Sequence, residues 1–134
     1  MLLALQRATH STLEIIGHEL SDLSLSSSEI NAMANLADGN ARTVRQLAAS
    51  IGARPSTMTG VLDRLEQGGL VVRTSRGDDR RIVSISLTSS GERVAAHIRQ
   101  VFSDLEHRAL RGLEAETISA LKLGLAALAE LTHE

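Results

Sequence analysis

The side chains best equipped for chemistry in this sequence are arginines and small hydroxyl residues, concentrated in its middle third. Between Arg42 and Arg81 lie eight arginines (Arg42, Arg45, Arg54, Arg64, Arg73, Arg76, Arg80 and Arg81) against four acids, Asp63, Glu66, Asp78 and Asp79. The whole chain carries a net charge of −2, so a basic centre is flanked by acidic ends. Guanidinium forks and hydroxyls donate to phosphate oxygens and to the acceptor edge of guanine. The chemistry this set suits is recognition of a polyanion, with no bond made or broken.

Covalent chemistry finds no support. Cysteine is absent among the 134 residues, which removes disulfides, thiolate metal sites and thiol redox. There is no phosphate-cradling glycine loop, no G-x-S-x-G elbow and no H-E-x-x-H. The serines gather where helices begin, and capping accounts for them. Neither an enzyme nor a cofactor is expected. His10, Glu14 and His18 recur at i, i+4 and i+8 on one helical face and are zinc-ligand types. Two turns of helix spread them over roughly 12 Å, so they cannot all meet one ion without a partner chain. They are read as surface or interface residues. His97 and His107 lack even that spacing.

The elements that must position the arginines follow from periodicity and punctuation. A first helix runs to about Leu23, with Leu13, Ile16, Leu20 and Leu23 on one stripe. Ser26-Ser27-Ser28-Glu29 has the form of a capping box, flanked by Leu25 and Ile30 as a hydrophobic staple, and its helix stops at Asp38-Gly39-Asn40. A second box, Thr43-Val44-Arg45-Gln46, opens a two-turn helix with Val44, Leu47, Ala48 and Ile51 inward; Gly52 ends it. Pro55 suits the first position of the next helix, whose apolar stripe is Met58, Val61, Leu62 and Leu65 and whose end is Gly68-Gly69. The period then changes to two. Leu70–Thr74 and Ile82–Leu87 read as strands of a two-stranded hairpin, with the charged loop Ser75–Arg81 between them. Thr88-Ser89-Ser90-Gly91 starts a long helix carrying Val94, Ile98, Val101, Phe102, Leu105 and Ala109 on one side. A last helix after Gly112 presents Ile118, Leu121, Leu125 and Leu128.

A short helix, a glycine turn and a second helix present that second helix to a DNA major groove. With its apolar stripe inward, residues 55–67 turn Ser56, Thr57, Thr59, Gly60, Asp63 and Arg64 outward. Ser56, Thr57 and Thr59 lie near the positive end of the helix dipole, where hydroxyls and free amides can meet phosphate. Arg54 and Arg64 can reach phosphates or guanine edges. Asp63 is repelled by phosphate and is read as a structural residue that orients an arginine. Arg80 and Arg81 at the hairpin tip suit a narrow minor groove. Asp79 can hold one of them extended, and Arg73 and Arg76 on the shoulders suit phosphates. Arg42 and Arg45 fit backbone contact and plain solvation equally well.

Length and composition set the frame: one domain of 134 residues, 43% hydrophobic and 22% charged. No run approaches the roughly 18–20 apolar residues of a membrane span, and the apolar start at Met1 is broken by Arg7 too early for an export signal. A cytoplasmic protein is expected, with no membrane partner.

Four fragments in order, Thr57 to Glu66, Gly69-Leu70-Val71-Val72-Arg73, Asp79-Arg80-Arg81 and Leu87-Thr88-Ser89-Ser90-Gly91, resemble the successive signatures of the MarR family. These are a recognition helix, a "GLV-x-R" entry to a wing, a "D-x-R" wing tip and an "LT-x-x-G" helix start. The resemblance spans nearly the whole chain. It implies a mainly α (α+β) winged helix-turn-helix fold with a two-stranded wing. Residues 28–87 would form the DNA-binding lobe, and residues 1–24 and 88–134 a helical dimerisation lobe. It implies a sequence-specific transcriptional regulator, more often a repressor, bound as a homodimer to double-stranded DNA at a pseudo-palindromic operator. It also implies a small-molecule effector between the lobes, and wing-tip roles for Asp79 and Arg81. Many relatives line that cleft with aromatic rings; this chain has Phe102 and neither Tyr nor Trp, which favours a flexible lipophilic ligand or none. Independently, three long amphipathic helices offer more apolar surface than one small chain can cover, which also points to dimerisation. Two other readings stay open: a winged-helix module that binds a protein instead of DNA, and a metal-responsive regulator.

Overall fold

The structure is a computed structural model that describes residues 1–76 and 79–131, the side chains of 76 and 79–81 excepted. It divides into two compact units, Met1–Phe102 and Ser103–Glu134. The elements are α1 (Leu2–Glu19), a 3₁₀ turn (Ser21–Leu23), α2 (Ser27–Leu36), β1 (Arg42–Thr43), α3 (Val44–Ile51), α4 (Pro55–Gln67), β2 (Val71–Arg76), β3 (Asp79–Leu87), α5 (Ser89–Ala109) and α6 (Ala115–Ala129).

The first unit is organised by local signals that act as expected. Ser26 Oγ accepts the Glu29 amide while Glu29 returns to the Ser26 amide, and Thr43 and Gln46 repeat the exchange at the start of α3. Gly52 closes α3 with φ +68°, a left-handed conformation that costs an L side chain energy, and Pro55 opens α4. The helix expected to reach Leu23 ends as an α-helix at Glu19. It continues as the 3₁₀ turn, closed by Ser24 at φ 54°.

The sheet differs from the expected hairpin in two ways. A third strand, β1, pairs antiparallel with β3, so that β3 is central in the order β1-β3-β2. Ser84, opposite Thr43 on one side and Thr74 on the other, is buried for that reason. The strands also run beyond the apolar residues, β2 through Arg76 and β3 from Asp79, with an irregular register at Ser75 and Arg76. A backbone ladder does not depend on side-chain polarity, so a charged stretch can pair as readily as an apolar one. Residues 77–78, part of the loop expected from the sequence, lie outside the described residues.

The core of this unit is Leu20, Ile30, Met33, Leu36, Leu47, Met58, Leu62, Leu65, Ile85 and Ile98 with smaller neighbours, all nearly inaccessible. At the junction of hairpin and α5, Thr88 donates its hydroxyl to the Gly69 carbonyl at 2.6 Å and accepts the Gly91 amide at 3.0 Å. The Thr88 amide donates to the Leu70 carbonyl. A Cβ on Gly91 would lie 1.9 Å from that same Leu70 oxygen, so the contact requires glycine. The "GLV" and "LT-x-x-G" fragments are therefore two sides of one lock.

In the second unit the described part of α5 and α6 buries no residue completely. Leu121, Leu123 and Leu125 of α6 are exposed. In the first unit α1 likewise buries none, and Leu2, Leu3, Leu13 and Ile15 face outward. No described helix is long and apolar enough to cross a membrane.

Candidate nucleic-acid interface

Helix α4 is fixed by its apolar stripe: Met58, Val61, Leu62 and Leu65 are all inaccessible. The period of 3.6 then forces Ser56, Thr57, Thr59, Asp63 and Arg64 to the surface, where the structure places them, with Gly60 half-exposed. Arg54 is the N-cap residue; its carbonyl accepts the Met58 amide at 3.0 Å, but its side chain offers no acceptor to the first turn. The amides of Ser56 and Thr57 are left to an outside partner, next to the hydroxyls of the same residues. Among the described residues Arg54, Ser56 and Thr57 have no side-chain partner. Thr59 differs, because its hydroxyl donates to the Pro55 carbonyl at 3.0 Å.

Each flank of α4 is held by an ion pair. Toward the hairpin, Asp63 accepts from Arg73 Nη2 at 2.6 Å, and Glu66 stands 3.9 Å from Arg73 Nη1. Asp63 thus orients an arginine, as its sign suggests, and the arginine is Arg73. Toward α2, Arg64 Nε donates to Glu29 Oε1 at 2.8 Å. The two pairs differ in burial. The Glu29 side chain is 9% exposed, whereas Arg73 and Asp63 are 30% and 50% exposed. Residue types do not mark the Glu29–Arg64 pair in the sequence, since capping accounts for Glu29 and 35 positions separate the two.

Arg42 is drawn back onto its own turn. Asp38 accepts the Asn40 amide with one oxygen and Arg42 with the other, at 2.9 and 2.6 Å. The Asn40 amide first, then Arg42, holds the Asp38 carboxyl below its ordinary range. Arg45 is exposed at the start of α3. The side chains of Arg76, Asp79, Arg80 and Arg81 lie outside the described residues, and their backbones belong to β2 and β3. His10, Glu14 and His18 are exposed along α1, and no metal-binding cluster occurs among the described residues.

A separate recess of about 110 Å³ lies in the first unit, lined by Leu13, Ile16, Gly17, Ser27, Ile30, Asn31 and Phe102.

Comparison with known proteins gives a consistent picture. Residues 25–83, from the entry of α2 through most of the hairpin, match the model of the MarR family. Among solved structures, a MarR-family regulator of Listeria monocytogenes complexed with a 26-mer DNA is similar at a TM-score of 0.89 and 16% identity, over 97% of this chain and 87% of that one. NadR in complex with 4-hydroxyphenylacetate is 27% identical at a TM-score of 0.83, over 98% of this chain and 91% of that chain. CouR from Rhodococcus jostii RHA1, bound to p-coumaroyl-CoA, is 23% identical at a TM-score of 0.83 over 98% and 92%. The helix-turn-helix, the wing and the lock between them are the features that the family signatures encode in residues here. Over residues 25–83 the chain is thus similar to the MarR family, and it shares its fold with these solved regulators over nearly its whole length.

Proposed function

We propose that the chain acts as a homodimeric repressor that places α4 of each copy in the major groove of a pseudo-palindromic operator and the β2–β3 hairpin in the adjoining minor groove. The observation that carries this reading is the outer face of α4: an N-terminus without a side-chain cap, Arg54, Ser56 and Thr57 with no side-chain partner among the described residues, and an ion pair on each flank. A rigid helix with free donors at its positive end meets what phosphate demands of it.

Within this reading Arg54, Ser56 and Thr57 bind backbone phosphates. Gly60 lets the helix approach closely, and Arg64 reaches a phosphate or a guanine edge. Thr59 contributes after turning its hydroxyl from Pro55. Arg76, Arg80 and Arg81 supply the wing contacts, with Asp79 steadying an arginine. Arg73 is the weakest member of the set, because Asp63 already neutralises it. Leu2, Leu3 and Leu13 of α1, and Leu121 and Leu125 of α6, form the surface between the two copies. The fold shared with a DNA-complexed regulator supports the docking mode, and the ligand-bound relatives support an effector. The recess around Phe102 is small and mostly apolar, and it would take one end of a lipophilic molecule.

The test is selection of duplexes from a randomised pool by the purified protein. A two-fold symmetric motif, bound with an affinity that drops steeply as salt rises, is expected. No enrichment, or salt-independent binding, contradicts the reading.

A further inference from the structure

We propose that Glu29 is a positioning residue for DNA recognition, acting through Arg64; this rests on the DNA-binding reading above. Glu29 is the one buried acid among the described residues, and a buried carboxylate persists only if paired. Both of its oxygens are used. Oε2 faces the Ser26 amide at 3.4 Å, and Oε1 takes Arg64 Nε at 2.8 Å.

The Nε contact decides the pose of the guanidinium. Arg64 Nη1 lies 3.7 Å from where a Cβ on Gly60 would stand, so the fork folds back one turn along the outer part of α4. The terminal nitrogens are not needed by Glu29, and the Arg64 side chain remains 57% exposed. Glu29 thus holds the fork by its inner nitrogen while its outer edge stays available to an acceptor on DNA. A long side chain already fixed in its bound pose loses less freedom on binding. Without Glu29 the fork would swing free in solvent.

This role and simple electrostatics predict opposite signs. Removing a negative charge near a polyanion should strengthen binding. Removing the group that aims Arg64 should weaken it.

The experiment measures affinity and its salt dependence for the full chain on a duplex enriched by the wild-type protein. Failure of the wild type to enrich any duplex refutes DNA binding itself, before any variant is made. Glu29→Gln keeps the shape and the capping bond to Ser26, and about tenfold weaker binding is expected. Arg64→Ala should weaken binding similarly and, if the fork meets phosphate, lower the salt slope by about one. In the Arg64→Ala background, Glu29→Gln should cause no further loss, because it has nothing left to aim. Ser26→Ala removes the cap alone; it should lower the melting temperature and leave affinity within about twofold. Unchanged or tighter binding by Glu29→Gln overturns the proposal, as does an equal loss in the Arg64→Ala background. Should Glu29→Gln fail to fold, Arg64→Lys takes its place. It keeps the charge without the fork, so about tenfold weaker binding supports the proposal and wild-type affinity overturns it.

Discussion

Helices α4 and α6 carry apolar stripes of the same kind, spaced by three and four residues, yet their fates differ. The α4 stripe is wholly inaccessible, whereas α6 buries nothing and leaves three leucines exposed. Among the described residues, all the fully buried hydrophobic ones fall between Leu20 and Ile98, and none belongs to α1 or α6. The difference shows what periodicity means. It says that a helix face needs a partner, not which molecule supplies it. For α4 the partner is the same chain, and the opposite face stays at the surface, where DNA is the proposed partner. For α1 and α6 the chain supplies too little, and a second copy is the proposed remainder.

The contrast can be broken most severely in the core. Leu62→Ala should cost about 2–5 kcal/mol in chemical denaturation, through lost burial and a cavity. Leu123→Ala, at a position 74% exposed, should stay within about 0.5 kcal/mol. Equal losses would erase the distinction. Gly91→Ala should cost about 1–3 kcal/mol in thermal unfolding, because its Cβ meets a backbone carbonyl that cannot turn aside as a side chain would.

The exposed side of the contrast is sharpened by Leu121→Glu with Leu125→Glu. The chain should still fold, while the dimer dissociation constant in sedimentation rises at least about tenfold, near 1.4 kcal/mol. An unaltered assembly would remove α6 from the interface. The smallest effect concerns Asp38. Its carboxyl titrates below the ordinary value of 3.8, so its contribution is present above that value and disappears as pH falls through the lowered one. Asp38→Asn should leave stability at neutral pH nearly unchanged and flatten its decline slightly below about pH 4. A change confined to alkaline pH would contradict that assignment.

Much of this was legible in the residues because the determinants are local. The two capping boxes, Gly52 and Pro55 fix α2, α3 and α4 within four residues of where each acts. Strand β1 was not legible, since two residues carry no period, and its pairing with Ile85 and Ser84 is a tertiary event. The length of the hairpin was hidden for the opposite reason, because its outer rungs are charged and look like loop. The ion pair of Glu29 with Arg64 bridges 35 positions, and only the packed helices bring the two together. At the interface, residue types pointed to α4 and the hairpin, but not to which arginines are already engaged by acids of the chain.

Salt-titrated binding to an enriched duplex, by the wild type and by Arg80→Ala with Arg81→Ala, tests the central claim most directly. The wild type should lose affinity steeply as salt rises. The double variant should bind more weakly, by about 1–3 kcal/mol for Arg81 alone, and its log–log salt slope should be shallower by about two. Equal affinities and equal slopes would contradict the assignment of the hairpin as a DNA-reading wing.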